Sequence, residues 1–326
     1  MALVVISMGG QTDDGDVVQS VVSFGIESRI TRASLTQDMI EDLQFFDFLG
    51  RAQLLGAAGE LERCQRVAAD PPDLLVKLAA VPQLGVELTS LSSTDVSKQR
   101  LDEVRGIERA LNEKLFSLPD KCPHLKGRYV CIFENYGDNK RPPKRRGSAF
   151  DKFIDQFMTV LGQDFGVVDP TPMMNYVGPD GKVPGHITMK GRKFFEEYFL
   201  EVKAADDPNA RPTVRANCQI DISHKDLRER LIKTVNNKDR PQNNFLLITT
   251  GLPDKSGYAA IGDMFVAHIV EELAKSGLGL QPKHLDQIIF HYWRGDAIAL
   301  YDRPGAATLV DTSIWPPLRA PNVAPA

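Results

Sequence analysis

The 326-residue sequence has little of what would place it in a specialised structural class. It has four cysteines and no Cys-x-x-Cys pair, so neither a disulfide framework nor a zinc ribbon is predicted. No apolar run reaches the roughly 18 residues that a membrane-spanning helix needs. A net charge of −4 is too small for a protein that coats nucleic acid over its whole surface. The N-terminal residues lack the basic and apolar regions of a signal peptide, so we expect a cytoplasmic protein without membrane contacts.

The composition, 42% hydrophobic and 25% charged, is that of a globular chain with a proper core. Apolar periodicity predicts helices and strands in alternation, which together indicate a mixed α/β fold. The predicted helices cover about 34–55, 60–67, 96–116, 148–162, 224–235 and 260–276. The predicted strands include 74–78, 84–91, 128–135, 243–250, 286–293 and 297–302, and 205–217 is predicted to be a loop.

The order of these segments predicts one elaborated α/β domain that carries an insertion. Residues 1–135 would supply the N-terminal strands and the first half of the core, and 220–305 the second half. Residues 136–219 break the rhythm and are predicted to be the insertion. Residues 306–326 are rich in Pro and Ala and are predicted to form a tail.

Two carboxylates on neighbouring predicted strands carry the chemistry that we expect. Asp73 opens the strand 74–78, and Glu87 lies 14 positions later inside the apolar segment 84–91. A carboxylate within an apolar strand is costly unless it is paired or binds a cation. A hard cation such as Mg²⁺ prefers oxygen ligands of this kind. The alternative is that Asp73 is a loop carboxylate and that Glu87 faces solvent on an amphipathic strand.

This pattern, Pro72-Asp73 followed by Glu87-Leu88-Thr89 on two strands and then by a helix and the strand 128–135, resembles the PD-(D/E)XK nuclease superfamily. More narrowly, it resembles a bacterial group with a PD…GVEVT signature. The helix that leads into Phe245-Leu-Leu-Ile-Thr249 is similar to the family pattern. The resemblance covers roughly 38–135 and 220–303. It implies a restriction-endonuclease-like mixed central sheet flanked by helices, and Mg²⁺- or Mn²⁺-dependent hydrolysis of phosphodiester bonds.

The resemblance also implies roles for particular residues. Asp73 and Glu87 would be metal ligands, and a further carboxylate would come from the preceding helix, either Glu62 or Glu41. Thr89 stands where the family usually has a lysine, and we expect it to orient water; it has no charge. A cation from elsewhere would then be needed, or the site would be slow or inactive. The candidate cations on helices are Lys98, Arg100, Lys225, Arg230 and Lys233.

A second set of residues satisfies the same motif later in the chain. Asp180 follows a proline, and Glu201-Val202-Lys203 supplies the lysine that Thr89 lacks. However, Pro179-Asp180-Gly181 is typical of a β-turn, and no apolar strand begins at Asp180. This set stays an alternative site, either for the nuclease or for an enzyme of another class.

A basic loop offers a surface for nucleic acid. Five cations lie within seven residues: Lys140, Arg141, Lys144, Arg145 and Arg146. Such a loop can contact phosphates, although charged runs often form only a solvated surface. We therefore expect a metal-dependent nuclease that acts on DNA or RNA, in defence or nucleic-acid processing, with a homodimer as one assembly. The alternative is a non-catalytic nucleic-acid- or protein-binding protein that keeps a nuclease-like fold.

Overall fold

The computed structural model describes residues 7–11, 15–23, 25–27, 35–68, 71–79, 81–92, 95–134, 145–163, 192–194, 198–205, 207–253, 258–260 and 263–315. Its helices are α1 (Gln37–Leu54), α2 (Asp95–Ser117), α3 (Ser148–Leu161), α4 (His224–Lys238) and α5 (Asp263–Ser276). Its strands are β1 (Ser7–Gln11), β2 (Val17–Ser23), β3 (Gly25–Glu27), β4 (Leu61–Arg66), β5 (Leu74–Leu78), β6 (Leu84–Ser90), β7 (Arg128–Glu134), β8 (Arg192–Phe194), β9 (Tyr198–Ala204), β10 (Thr213–Ser223), β11 (Phe245–Thr250), β12 (Tyr258–Ala260), β13 (Gln287–Tyr292) and β14 (Ala297–Asp302).

The chain divides into two compact units. Unit 1 consists of 1–25 and 93–222, and unit 2 consists of 26–92 and 223–326. The segment that interrupts unit 2 is therefore 93–222, whereas the sequence predicted an insertion over 136–219. The predicted boundary at 135 falls just after β7, and the one at 219 falls within β10.

Unit 2 contains a mixed six-stranded sheet in the order β14-β13-β11-β6-β5-β4. The three central strands β13, β11 and β6 are parallel, and the outer strands are antiparallel to their neighbours. Helix α1 contacts β6, while α5 contacts β11 and β13. The predicted mixed α/β architecture with a helix-flanked sheet is thus confirmed for this unit.

The core of unit 2 follows from strand alternation. Val86 and Leu88 of β6 pack in one apolar cluster with Phe45 and Phe48 of α1. Because successive side chains on a strand point to opposite faces, Glu87 must point away from this cluster. Helix α1 begins where the side chain of Thr36 accepts a hydrogen bond from the amide of Met39, at 3.2 Å, which is a typical N-cap.

Unit 1 has its own six-stranded sheet in the order β1-β2-β10-β7-β9-β8. Strands β10 and β7 are parallel, whereas β9 is antiparallel to both β7 and β8. The predicted apolar face of α2 is confirmed, since its periodic residues are all buried: Leu101, Val104, Ile107, Leu111 and Leu115. Strands β3 and β12 form a separate two-stranded sheet.

Two local predictions were wrong. Residues 61–66 form strand β4 and not the predicted helix, and β10 begins at Thr213 within the predicted loop. In β4 a register shift between Leu61 and Arg63 lets both Leu61 and Cys64 pack on the core. Inward residues three positions apart imitate a helical period, and this explains the error. No helix in the described part of the chain is both long and apolar enough to span a bilayer.

Candidate functional site

Asp73 and Glu87 are brought together by the pairing of β5 with β6. Leu74 is the register partner of Val86, so Asp73 stands beside Glu87 at the start of β5. The Oδ2 atom of Asp73 accepts a hydrogen bond of 2.8 Å from the backbone amide of Leu88. This bond ties the Asp73 carboxylate to the β6 backbone directly after Glu87. The strand pairing therefore makes the two acids neighbours on adjacent strands, as the sequence predicted.

Glu87 is deeply buried, with 1% of its surface exposed. The interpretation that Glu87 faces solvent on an amphipathic strand is therefore wrong. Its strand lies between β5 and β11, and both faces of the sheet are covered at this point, which explains the burial. A buried carboxylate requires a compensating partner, because desolvation penalises its charged form.

Lys238 supplies that compensation. Its Nζ atom donates to Oε1 of Glu87, and 31% of the lysine side chain is exposed. Lys238 is the last residue of α4, whose buried face carries Leu227, Leu231 and Val235. A residue three positions after Val235 continues that face, so the helix directs the lysine toward the sheet. The Lys238–Glu87 ion pair thus lies on the strand that is adjacent to Asp73.

The sequence did not identify Lys238, because the helix was predicted to end at residue 235. The spacing of 227, 231, 235 and 238 was the available signal: a basic residue on the apolar face of the last turn. Of the candidate cations, Arg230 donates to the carbonyl of Ser92 at 3.1 Å and Arg100 pairs with Glu134. Lys225 and Lys233 are exposed, and the side chain of Lys98 lies outside the described residues.

The predicted third carboxylate does not join this site. Glu62 lies on β4 and not on a helix, and it pairs with Lys77 at 2.6 Å on the exposed side of the β4–β5 hairpin. Glu41 of α1 pairs with Arg66 at 2.5 Å. Thr89 is half-buried on β6, opposite Ile248 of β11. Within the described ranges, no group of three or more His, Cys, Asp or Glu side chains that could hold a metal ion is found.

The side chains of two asparagines just before β11 hold the site in place. The amide of Gly85 donates to Oδ1 of Asn244, at 3.0 Å, and Asn243 donates to the carbonyl of Lys238 at 2.8 Å. Gly85 has no room for a side chain, since a methyl group there would overlap the carbonyl oxygen of Gln242. The turn after α4 is thereby fixed against β6, and with it the position of Lys238.

The basic loop is only partly described. Lys140, Arg141 and Lys144 lie outside the described residues. The guanidinium of Arg145 sits 3.8 Å from the ring centroid of Phe153 and 3.4 Å from Oε1 of Glu103, so it takes part in the internal packing of unit 1. Arg146 is exposed. Arg146 can therefore contact a phosphate, whereas Arg145 would first have to give up its internal contacts.

The alternative motif is described in part as well. Asp180 and the side chain of Glu201 lie outside the described residues, and Lys203 is half-buried on β9. Comparison of the chain with protein-family models, curated proteins and solved structures finds no match. The function of this chain is therefore inferred from the geometry of Asp73, Glu87 and Lys238.

Proposed function

We propose that this protein is a metal-dependent phosphodiesterase that acts on nucleic acid, with its reaction centre at Asp73, Glu87 and Lys238. The observation that carries the proposal is that Asp73 and Glu87 are cross-strand neighbours on β5 and β6, and that Lys238 at the end of α4 pairs with Glu87. Lys238 provides the positive charge that Thr89 cannot. Sequence separation does not matter for this role; only the position of the ammonium group does.

The order of elements in unit 2 supports a restriction-endonuclease-like fold for this proposal. Helix α1 precedes the antiparallel strands β4, β5 and β6, and α4 then leads into β11, which is parallel to β6. The late helix and the apolar strand agree with the resemblance, whereas the helix and the strand 128–135 that should follow Thr89, α2 and β7, belong to unit 1. Residues 93–222 would be an elaboration between β6 and α4.

The donor set of the site fits a magnesium ion. Mg²⁺ is commonly held by one or two carboxylates and completes its shell with waters and substrate phosphate oxygens. Asp73 and Glu87 would hold the ion, which supplies polarisation of the phosphodiester and a more acidic water. Mn²⁺ would bind the same oxygen ligands.

The remaining roles belong to the chain itself. The amide of Leu88 fixes the orientation of the Asp73 carboxylate. Lys238 compensates the charge of Glu87 in the resting protein and, with part of its side chain exposed, can turn its ammonium toward a phosphate. Thr89 would orient water through its hydroxyl group. Arg146, with Lys140, Arg141 and Lys144 of the same loop, would bind the nucleic-acid backbone, whereas Arg145 has internal contacts.

One observation favours a non-catalytic second candidate. The charge of Glu87 is already compensated by Lys238, and no third acid in the described part of the chain joins the pair. An ion pair of this kind can serve folding without chemistry. In this case the protein would bind nucleic acid or another protein through a nuclease-like fold.

A cleavage assay distinguishes the two candidates. The purified full chain is incubated with single- and double-stranded DNA and RNA in the presence of Mg²⁺ or Mn²⁺, and with EDTA. We expect cleavage that EDTA abolishes and that Asp73→Asn and Glu87→Gln each reduce about 100-fold or more, since both remove a metal ligand. Glu229→Gln, an exposed acid on α4, is the matched control and should cleave normally.

The control outcome must be read together with folding. Trp293 and Trp315 are the chain's two tryptophans and both belong to unit 2, so their fluorescence reports whether each variant keeps this unit folded. Cleavage that persists in a folded Asp73→Asn/Glu87→Gln double variant would refute the assignment. A folded wild-type chain that cleaves none of the four substrates with either metal would favour the binding protein.

A further inference from the structure

A groove of about 410 Å³ lies in unit 2 between the first half of α1 and the turn that follows β13. This volume falls within the roughly 300–1,000 Å³ that is typical of small-molecule sites. Met39 and Phe46 expose 50% and 49% of their surfaces, so both side chains are accessible to a ligand in the groove. The apolar wall is formed by five residues: Leu35, Met39, Leu43, Phe46 and Trp293.

The carboxylate of Asp47 also lines the groove, and contacts on its buried side hold it in place. Oδ2 of Asp47 accepts a hydrogen bond of 2.6 Å from the amide of Arg294 and lies 3.4 Å from Nε2 of His291. His291 is fully buried, and its Nδ1 lies 3.4 Å from Oγ1 of Thr249. The ring of Phe48 packs against the imidazole at a centroid distance of 5.7 Å. These contacts fix the orientation of the Asp47 carboxylate.

The same contacts keep Asp47 charged. Burial by itself would raise the pKa of Asp47, but hydrogen bonding to His291 and to the Arg294 amide outweighs this, and the pKa lies below its ordinary value. The side chain of Asp47 is 28% exposed. An ionised carboxylate with part of its surface accessible therefore stands beside an apolar wall.

The charge around the groove is predominantly negative. Asp42 also lines the groove, and its Oδ1 lies 2.7 Å from Arg66. Arg66 is shared with Asp38 and Glu41, so one guanidinium serves three acids. Among the residues that line the groove, the cation is Arg294, whose guanidinium lies over the Trp293 ring at 4.6 Å. A phosphate would be repelled by Asp42 and Asp47, and a cation would be attracted.

We propose that this groove binds a small organic cation that has an aromatic body. The body would pack against the exposed side chains of Met39 and Phe46, and an amine, amidine or guanidine group would donate to Asp47. Aromatic faces also attract cations directly, which reinforces the same preference. Hydrogen bonds between a charged donor and a carboxylate are stronger than neutral ones, so the charge determines the specificity. This inference does not depend on the proposed nuclease function, since no residue is shared with Asp73, Glu87 and Lys238.

Benzamidine and benzamide are suitable probes, because they have the same ring and nearly the same shape but differ in charge. Binding to the full chain is measured by isothermal titration calorimetry and by the fluorescence of Trp293. We expect benzamidine to bind about tenfold more tightly than benzamide, in line with a charged hydrogen bond to Asp47. Asp47→Asn should remove this preference and leave benzamide binding unchanged.

A pair of exposed positions on α1 locates the site independently. Phe46→Ala should weaken both compounds several-fold, because it removes part of the apolar wall. Leu54→Ala is the matched control, since Leu54 is 85% exposed on the same helix and does not line the groove. This pair decides the location even if Asp47→Asn fails to fold. Equal affinity for the two compounds, no binding of benzamidine at millimolar concentration, or an unchanged affinity in Phe46→Ala would each overturn the proposal.

Discussion

Replacement of Lys238 by Met is expected to destabilise unit 2, because it removes the charge opposite Glu87 while it keeps most of the side-chain length. Removal of one partner from a buried ion pair costs about 3–5 kcal/mol. Glu87 is 1% exposed, but 31% of the Lys238 side chain reaches solvent, which screens the pair. We therefore expect the free energy of unfolding to fall by about 1–3 kcal/mol, the usual cost of an unsatisfied buried group.

Urea unfolding followed by tryptophan fluorescence measures this change in the relevant unit, since Trp293 and Trp315 both belong to unit 2. With a urea dependence of about 1–3 kcal/mol per molar, the midpoint should fall by roughly 1 M. Lys233→Met, at an exposed position of the same helix, is the control and should change the free energy by less than about 0.5 kcal/mol.

The double variant Glu87→Leu/Lys238→Met tests the cause. If the penalty arises from the Glu87 charge, removal of that charge should restore most of the lost stability, because an apolar replacement of a buried pair is often neutral. A double variant that is less stable than Lys238→Met would refute this reasoning. So would a Lys238→Met midpoint equal to that of Lys233→Met.

Other positions give separate predictions. Gly85→Ala should lower the free energy of unfolding by about 1–3 kcal/mol, because the methyl group would overlap the Gln242 carbonyl. Gly50→Ala, in open space on α1, should raise it by about 0.5–1 kcal/mol, and thermal unfolding compares the two variants. The carboxylate of Asp239 accepts hydrogen bonds from the amides of Lys283, His284 and Leu285. Burial by itself would raise the pKa of Asp239, but these hydrogen bonds outweigh it and lower the pKa. The contribution of Asp239 to the free energy of unfolding is therefore complete above the unfolded pKa of about 3.9, and it is lost as the pH falls through the lower folded pKa. The difference in urea midpoint between wild type and Asp239→Asn should therefore shrink between pH 6 and pH 3, and a constant difference would contradict this. Arg145→Gln should increase hydrogen exchange in α3, because it removes the contact with Phe153. Arg146→Gln, at an exposed position, should only lower the affinity for nucleic acid at low salt. Equal hydrogen exchange in the two variants would count against the internal role of Arg145.

Much of the helical structure was predictable because it depends on local periodicity. The apolar face of α2 and the buried strand β11 were identified from residue spacing alone, and both are buried as expected. Strand β4 was not, because its irregular register places Leu61 and Cys64 on the core side three positions apart. Such irregularities depend on the partner strand, which a local pattern does not contain.

The division into units was outside the reach of local patterns for a similar reason. Unit 2 is assembled from two separate stretches, and β6 finds its parallel partner β11 only after residues 93–222. The predicted insertion boundaries at 136 and 219 both lie inside the interrupting segment 93–222, and the second falls within β10. The ends lie between a strand and a helix of ordinary composition.

At the candidate site, too, some features follow from the sequence and others only from the tertiary structure. The sequence by itself determined that Asp73 and Glu87 lie on neighbouring strands, since a short antiparallel connection brings such residues together. It also determined that Glu87 would be expensive to bury. Only the tertiary structure decided that Glu87 is buried, and that Lys238, 151 residues further along the chain, compensates its charge. The physical reason is that a buried charge is stabilised by proximity in space, and that proximity arises from the packing of α4 on the sheet.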